Sequence, residues 1–228
     1  NYRKLDAKTA VTHNGYWGGF QHGMAICGQA FPYAFLKGMA TVYIASSRAV
    51  KDKEEDQAWG SAPLIDDNLR FASGRVIHDG YYDYDRQDKI RHITEYVTRT
   101  GQKVHLHVCW ETGGGTNCSC CEKCFRTMMA LLLEGVTPGE YGFKFTPQTG
   151  AIMKNYFKHA FLLQGMVLQR WLDLQTKFLA DRGTLVGDKS FEWLASFDFS
   201  KANQGYIKKI RLFRSIWKRS LRAMTKKS

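Results

Sequence analysis

Hydrophobic positions along the chain switch between strand-like and helix-like spacing. Residues 22–37 have the composition of a helix with one apolar side, and we expect Pro32 to end, kink or restart it. A short β-branched run follows at residues 41–46, T-V-Y-I-A-S, which is typical of a buried strand. Further strands are predicted at residues 75–78 and, from the alternation in K-V-H-L-H-V-C, at residues 103–109.

Between these strands the apolar spacing is helical. One helix is predicted to begin near Asp85, where Asp85 and Asp88 can form an N-terminal cap pair, and to end at Gly101. Another follows the cysteine-rich segment and stops at Gly135. Strands that alternate with helices predict an α/β fold with a partial parallel sheet and helical crossovers.

The second half of the chain is predominantly helical in pattern. Residues 151–179 carry apolar side chains at helical spacing, a short helix is expected around residues 191–194, and an amphipathic one is expected over 206–224. We therefore predict an α/β domain over residues 1–136 and a helical appendage over residues 137–228.

Composition indicates a folded protein. A hydrophobic content of 44% and an aromatic content of 14% are sufficient for a core and argue against disorder. No apolar run approaches the roughly 18 residues that span a bilayer, and the first residues lack the apolar segment of a signal peptide. Because the cysteines are clustered as for metal binding, we expect a reducing compartment, and so a cytoplasmic bacterial protein.

The positive charge is concentrated at one end of the chain. Residues 206–228 contain nine Lys or Arg and no Asp or Glu, so the net charge of +12 falls to +3 for the other 205 residues. A mildly basic body argues against a globular nucleic-acid-binding surface. For the basic helix three interpretations stay open: packing on its own protein, peripheral contact with an anionic membrane, or docking on RNA or a partner protein.

The most specific motif is a group of four cysteines, Cys109, Cys118, Cys121 and Cys124, at the spacing C-x8-C-x2-C-x2-C. Four thiolates can close on a tetrahedral Zn²⁺, and a closed site of this kind is structural rather than catalytic. The alternatives are two disulfides or a set of unligated thiols. Cys120 has no place in this spacing.

The same segment carries a resemblance to a known family. The cysteine spacing, and the string N-C-x-x-C-E-K-C-x-R-T-M-x-A-L that begins at Asn117, resemble the zinc motif of the N-type ATP pyrophosphatases. That superfamily includes cyano-deazaguanine synthase and, in the same neighbourhood, muramoyl-peptide glutamate epimerases. The resemblance covers residues 40–136 and implies a HUP-like domain with a structural zinc knuckle over residues 109–124. It also implies ATP and Mg²⁺ as cofactors and a small-molecule substrate.

One part of the family's pattern does not occur in this sequence. The Ser-Gly-Gly-x-Asp-Ser phosphate loop, which follows the first strand of the family's fold, is absent. An upstream phosphate-loop segment or subunit is therefore an expected partner.

Candidate ligand-binding residues lie where predicted strands end. Ser46 and Ser47 follow the first strand, at the edge where open α/β sheets bind ligands, and are candidates for cofactor binding. His78 and Asp79 end the second strand and are candidates for substrate binding.

Two further groups are identified partly by the resemblance. Ser61 and Asp66 lie in W-G-S-A-P-L-I-D-D, which resembles the family's substrate loop, although a capped turn before a short helix explains them equally well. Arg86 and Lys89 lie in the first turn of a helix, a natural phosphate position. The resemblance implies that the Lys before Ile contacts the phosphate side of an adenylate, so both are catalytic candidates.

Two functions from different classes follow. The first is an ATP-dependent adenylating enzyme, a ligase or an epimerase, that activates a carboxylate or carbonyl oxygen and releases pyrophosphate. The alternative is a non-catalytic, zinc-stabilised binding module that docks on nucleic acid, a membrane or a partner through its basic C-terminal helix.

Overall fold

The chain forms two compact units in a computed structural model. The residues that the structure describes are 17–46, 49–50, 59–109, 111–112, 115–159, 163, 165–180 and 189–201. Packing divides the chain into Asn1–Lys89 and Ile90–Ser228. This division follows the density of contacts, whereas the boundary predicted at residue 136 follows a change in sequence character.

A long helix opens the described part of the first unit. A π-helical turn, Trp17–Gln21, leads directly into α1, His22–Leu36. Its buried residues Gly23, Cys27 and Ala34 recur at helical spacing, and α1 packs against the strand that follows it. The helix continues through Pro32, so this proline neither ends nor restarts it.

The sheet of the first unit has three strands. They are β1 (Thr41–Ala45), β2 (Arg70–Phe71) and β3 (Gly74–Asp79), in the order β1-β3-β2. β1 and β3 pair in parallel, as predicted, whereas β2 pairs with β3 in antiparallel fashion and makes the sheet mixed. Two residues are too few to show a hydrophobic period, which is why the sequence pattern missed β2.

A short helix follows β1 in this unit, and a longer helix begins after β3 and continues into the second unit. The short α2, Pro63–Asp66, has proline in its first turn, where no backbone N–H is needed. The longer α3, Arg86–Thr100, has a reciprocal cap: Asp88 N–H donates to Asp85 Oδ1 at 2.8 Å, and Asp85 N–H donates to Asp88 Oδ2 at 2.9 Å. The predicted cap pair is therefore confirmed.

The predicted strand at residues 103–109 is wrong, because this segment is extended but pairs with no strand among the described residues. Its Val108 N–H donates to Asn117 Oδ1 at 3.1 Å, and Asn117 Nδ2 donates to the carbonyl of Leu106 at 2.7 Å. Leu106 N–H donates to the carbonyl of Tyr141 at 3.1 Å. The amide side chain of Asn117 therefore satisfies backbone groups that a neighbouring strand would otherwise pair.

The second unit is helical. It contains α4 (Glu122–Leu133), α5 (Thr149–His159) and α6 (Gly165–Ala180), together with 3₁₀ turns at Pro138–Tyr141 and Lys189–Ala195. The single helix predicted over 151–179 is thus two helices. Gly165 has φ +55°, a left-handed conformation that a continuous right-handed helix excludes. No helix within the described ranges is both long and apolar enough to cross a bilayer.

One core joins the helices on both sides of residue 136. Phe125 and Met128 of α4 are fully buried together with Phe157 of α5 and Trp171 of α6. The rings of Phe157 and Trp171 meet edge to face at 4.5 Å between centroids. Since each fully buried side chain of this size contributes about 2–3 kcal/mol, this shared core is the main stabilising element of the unit.

Candidate metal centre and strand-end residues

The four predicted cysteine ligands converge on one point. Their sulfur atoms all lie within 4.8 Å of one another. The Sγ–Sγ distances are 3.9 Å for Cys109–Cys121, 3.8 Å for Cys118–Cys124 and 3.5 Å for Cys121–Cys124. Tetrahedral coordination with metal–sulfur bonds of about 2.3 Å places sulfurs about 3.8 Å apart. All four are free thiols, so the two-disulfide alternative does not describe this structure.

Local backbone geometry brings these thiols together. Cys109 ends the extended segment that Asn117 holds in place. Ser119 turns the chain between two ligands with φ +59°, and its Oγ accepts a hydrogen bond of 2.9 Å from Lys144 N–H. Cys121 is the N-cap of α4, which begins at the next residue and carries Cys124 in its first turn.

The electrostatics differ among the ligands. Burial opposes ionisation of Cys109, but hydrogen bonds from Cys118 and from Glu111 N–H outweigh it and lower the pKa of Cys109 to about 6. Burial raises the pKa of Cys121 to about 11 and also raises the pKa of Cys124. Without a metal ion, Cys109 therefore accepts hydrogen bonds as a thiolate at neutral pH, while Cys121 and Cys124 keep their protons.

Directly behind the thiols lies a buried charged pair that sequence reasoning did not identify. Arg126 Nε lies 3.1 Å from Glu122 Oε1, and the same oxygen accepts a hydrogen bond of 2.9 Å from Trp171 Nε1. Because Glu122 balances the charge of Arg126, the pair is neutral as a whole and can be buried. Glu122 lies between Cys121 and Cys124, and this position is the sequence signal that could have identified it as part of the site. Trp171 lies 49 residues away, and no local pattern links it to Glu122.

The geometry and the donor set together define a four-cysteine group that could hold a metal ion such as zinc. The residues fit such an ion on two counts: the sulfur separations are those of a tetrahedral thiolate site, and α4 directs its N-terminus toward the thiols. Since the site has four protein ligands and no open position, a bound metal there would be structural.

A second group of candidates lies at the ends of β1 and β3. Lys89 Nζ donates a hydrogen bond of 2.6 Å to the carbonyl of Ser46, which directly follows β1. Ser46 N–H in turn donates to the carbonyl of Asp79, the last residue of β3, at 2.9 Å. The Lys89 side chain also passes close to Gly80, where an added Cβ would lie 3.0 Å from its Cε.

The three other substrate-site candidates form one buried cluster. Asp66 Oδ2 accepts a hydrogen bond of 2.7 Å from Ser61 Oγ and lies 2.7 Å from His78 Nδ1. The backbone N–H of His78 donates to Asp67 Oδ1 at 2.6 Å. Asp66 has no exposed surface, so in this conformation it orients Ser61 and His78 and does not itself meet solvent.

The remaining candidates differ in their setting. Arg86 is half-buried in the first turn of α3, and Asp79 is exposed. Ser47 and the basic segment at residues 206–228 lie outside the described residues. The structure thus joins Lys89 to Ser46, and it joins His78 to the predicted pair Ser61 and Asp66.

No protein-family model, curated protein or solved structure matches this chain.

Proposed function

We propose that this chain is an ATP-dependent adenylating enzyme that activates a carboxylate or carbonyl oxygen of a small molecule and releases pyrophosphate. The observation that carries the proposal is the hydrogen bond from Lys89 Nζ to the carbonyl of Ser46. It holds a lysine ammonium at the carboxyl end of a parallel strand pair, which is where open α/β sheets bind their ligands.

Phosphoryl transfer needs cations placed where negative charge develops. Lys89 and Arg86 are one helical turn or less apart on α3 and would supply this charge to the triphosphate, with Mg²⁺ shared by the phosphates. The reciprocal cap already occupies the N–H groups of Asp85 and Asp88. The side chains therefore matter more here than the helix terminus.

The substrate side of the proposed site is formed from β3 and the segment before α2. Ser61 and Asp66 would fix His78, while Asp79 is exposed at the end of the same strand. A buried carboxylate that hydrogen-bonds to one nitrogen of an imidazole fixes the orientation of the ring. Asp66 would do this for His78.

A zinc ion bound by the four cysteines would be structural in this proposal. It would fix the loop before α4 to the helical core, through Cys121 at the N-cap and Glu122 beneath it. The resemblance of the cysteine motif to N-type ATP pyrophosphatases supports the pairing of this metal with ATP chemistry.

The experiment uses the purified chain with Mg-ATP and measures nucleotide binding by calorimetry. Lys89→Ala should weaken Mg-ATP binding by about tenfold or more, because a charge-assisted contact to phosphate is lost. Lys89→Arg keeps the charge and should retain part of the affinity. Lys144→Ala removes an exposed lysine of the second unit and serves as the matched control.

A second measurement follows AMP and pyrophosphate by phosphorus NMR in the presence of candidate carboxylates. Wild-type affinity and turnover in the Lys89→Ala chain would remove Lys89 from the mechanism. If the wild-type chain neither binds nor cleaves ATP, both alone and together with the expected upstream phosphate-loop segment, the proposed function itself is wrong.

A further inference from the structure

The outer edge of β1 exposes a regular row of backbone groups. The carbonyl of Ala40 accepts from Arg75 N–H, and Ser46 N–H donates to the carbonyl of Asp79, so residues of even number along β1 face β3. Backbone groups of successive residues point to opposite sides of a strand. The N–H and C=O groups of Thr41, Tyr43 and Ala45 therefore point away from β3.

Nothing in the described part of the chain pairs with this row, since β1 is the edge strand of the sheet. The strand also lacks two of the features that commonly protect natural edges, since T-V-Y-I-A contains no charge and no proline. On one face of the strand the Tyr43 side chain is 65% exposed and Ala45 is exposed beside it, so Tyr43 is available for contacts with a partner strand.

We propose that the edge of β1 is a dimerisation surface on which a second copy of this chain pairs its own β1 in antiparallel fashion. The row has two-fold symmetry about its middle residue. A two-fold axis at Tyr43 places Tyr43 opposite its counterpart and Thr41 opposite Ala45, which gives about six hydrogen bonds between the copies. The two three-stranded sheets then form one continuous six-stranded sheet.

The composition of β1 favours this occupant. When β1 pairs with β1 of a second copy, each of its side chains occurs on both sides of the two-fold axis. A charged strand would therefore bring like charges close together. T-V-Y-I-A has no charge to repeat, and the two tyrosines at the centre can pack on each other. A basic or acidic partner would find no complementary charge on this strand.

The first experiment combines sedimentation with amide hydrogen exchange by NMR on the whole chain. With rising protein concentration, the sedimenting mass should approach twice that of one chain. Over the same range, exchange of the Thr41, Tyr43 and Ala45 amides should slow by about tenfold or more. The Val42 and Ile44 amides, which face β3, serve as the internal control and should not change.

The second experiment tests the register with paired charge variants. Tyr43→Lys alone and Tyr43→Glu alone should each shift the chain to the monomer, because the symmetric pair places like charges with Cα atoms about 5.5 Å apart. An equimolar mixture should recover a mixed dimer. Tyr43→Thr, uncharged and well suited to a strand, is the matched control and should remain dimeric.

Three results would overturn the proposal. A chain that stays monomeric and exchanges the three edge amides freely has an open edge. Protection that does not depend on concentration would mean that another part of the same chain covers β1. A dimer in which the lysine and glutamate variants fail to recombine would place the interface elsewhere.

Discussion

The indole N–H of Trp171 donates a hydrogen bond of 2.9 Å to Oε1 of Glu122, across 49 residues of chain. Glu122 is the first residue of α4 and directly follows Cys121, while Trp171 is fully buried in α6. The contact therefore ties the metal-binding turn to the helical core. It also gives the Glu122 carboxylate a neutral donor in addition to Arg126.

Replacement of Trp171 by Phe should destabilise the second unit by about 2 kcal/mol or more, because a buried carboxylate loses a hydrogen bond. The matched control is Trp193→Phe. The Nε1 of Trp193 is buried without a hydrogen-bond partner among the described residues, so that variant loses ring volume but no hydrogen bond. Urea unfolding of both zinc-loaded variants measures the difference, and equal losses would contradict a specific role for the Trp171–Glu122 bond.

Local signals explain what the sequence predicted correctly. The cap of α3 needs only Asp85 and Asp88, three residues apart, and the sulfur cluster is encoded in the spacing of its cysteines. Helix ends at Gly101 and Gly135 follow from glycines that adopt positive φ, +67° and +74°. Each of these features depends on residues within a few turns of one another.

The features that the sequence pattern did not predict depend on partners that are distant in sequence. Side-chain exposure does alternate over residues 103–109, since Lys103, His105 and His107 are exposed and Val104 is half-buried. This alternation does not show which groups the backbone N–H and C=O bond to. Here Asn117 and Tyr141 supply the partners, so the segment is extended without joining a sheet. In the same way no local pattern could predict that Trp171 would meet Glu122.

Removal of the metal tests the structural role of the cysteines. Cys124→Ser should abolish stoichiometric zinc binding and destabilise the second unit by about 4 kcal/mol or more, since a closed thiolate site contributes folding free energy directly. Cys120→Ser, an exposed thiol next to the ligands, is the control and should keep both zinc and stability. Metal analysis and near-ultraviolet circular dichroism measure the two effects, and loss of zinc in both variants would reassign the ligand set.

Zinc affinity should fall as the pH falls. Burial raises the pKa of Cys121 to about 11 and that of Cys124 above its usual value, so both thiols are protonated at neutral pH without metal. A metal ion binds thiolates, and these protons must therefore leave when zinc enters. Competition titrations between pH about 6 and 8 should show tighter binding at the higher pH. Calorimetry in buffers of different ionisation enthalpy should detect the released protons, and a pH-independent affinity would exclude this coupling.

Two glycines of α1 provide the sharpest test of the first unit. A Cβ on Gly23 would lie 2.7 Å from the carbonyl oxygen of Gly60 and 2.9 Å from Ser61 Cα, and it would collide with Asp66 Oδ1. Two of these three atoms are backbone and cannot move aside as a flexible side chain would. Gly23→Ala should therefore cost about 2–4 kcal/mol, because α1 must separate from the segment that holds Ser61 and Asp66.

The matched substitution lies on the same helix. A Cβ on Gly28 would meet no atom within 4 Å, so Gly28→Ala should stabilise the unit by about 0.5–1 kcal/mol through helix propensity alone. Hydrogen exchange of the β3 amides reports the stability of this unit in both variants. If Gly23→Ala is as stable as Gly28→Ala, the close approach of α1 to Asp66 is not required. If only Gly23→Ala loosens β3, the contact that positions Asp66, and through it His78, is established.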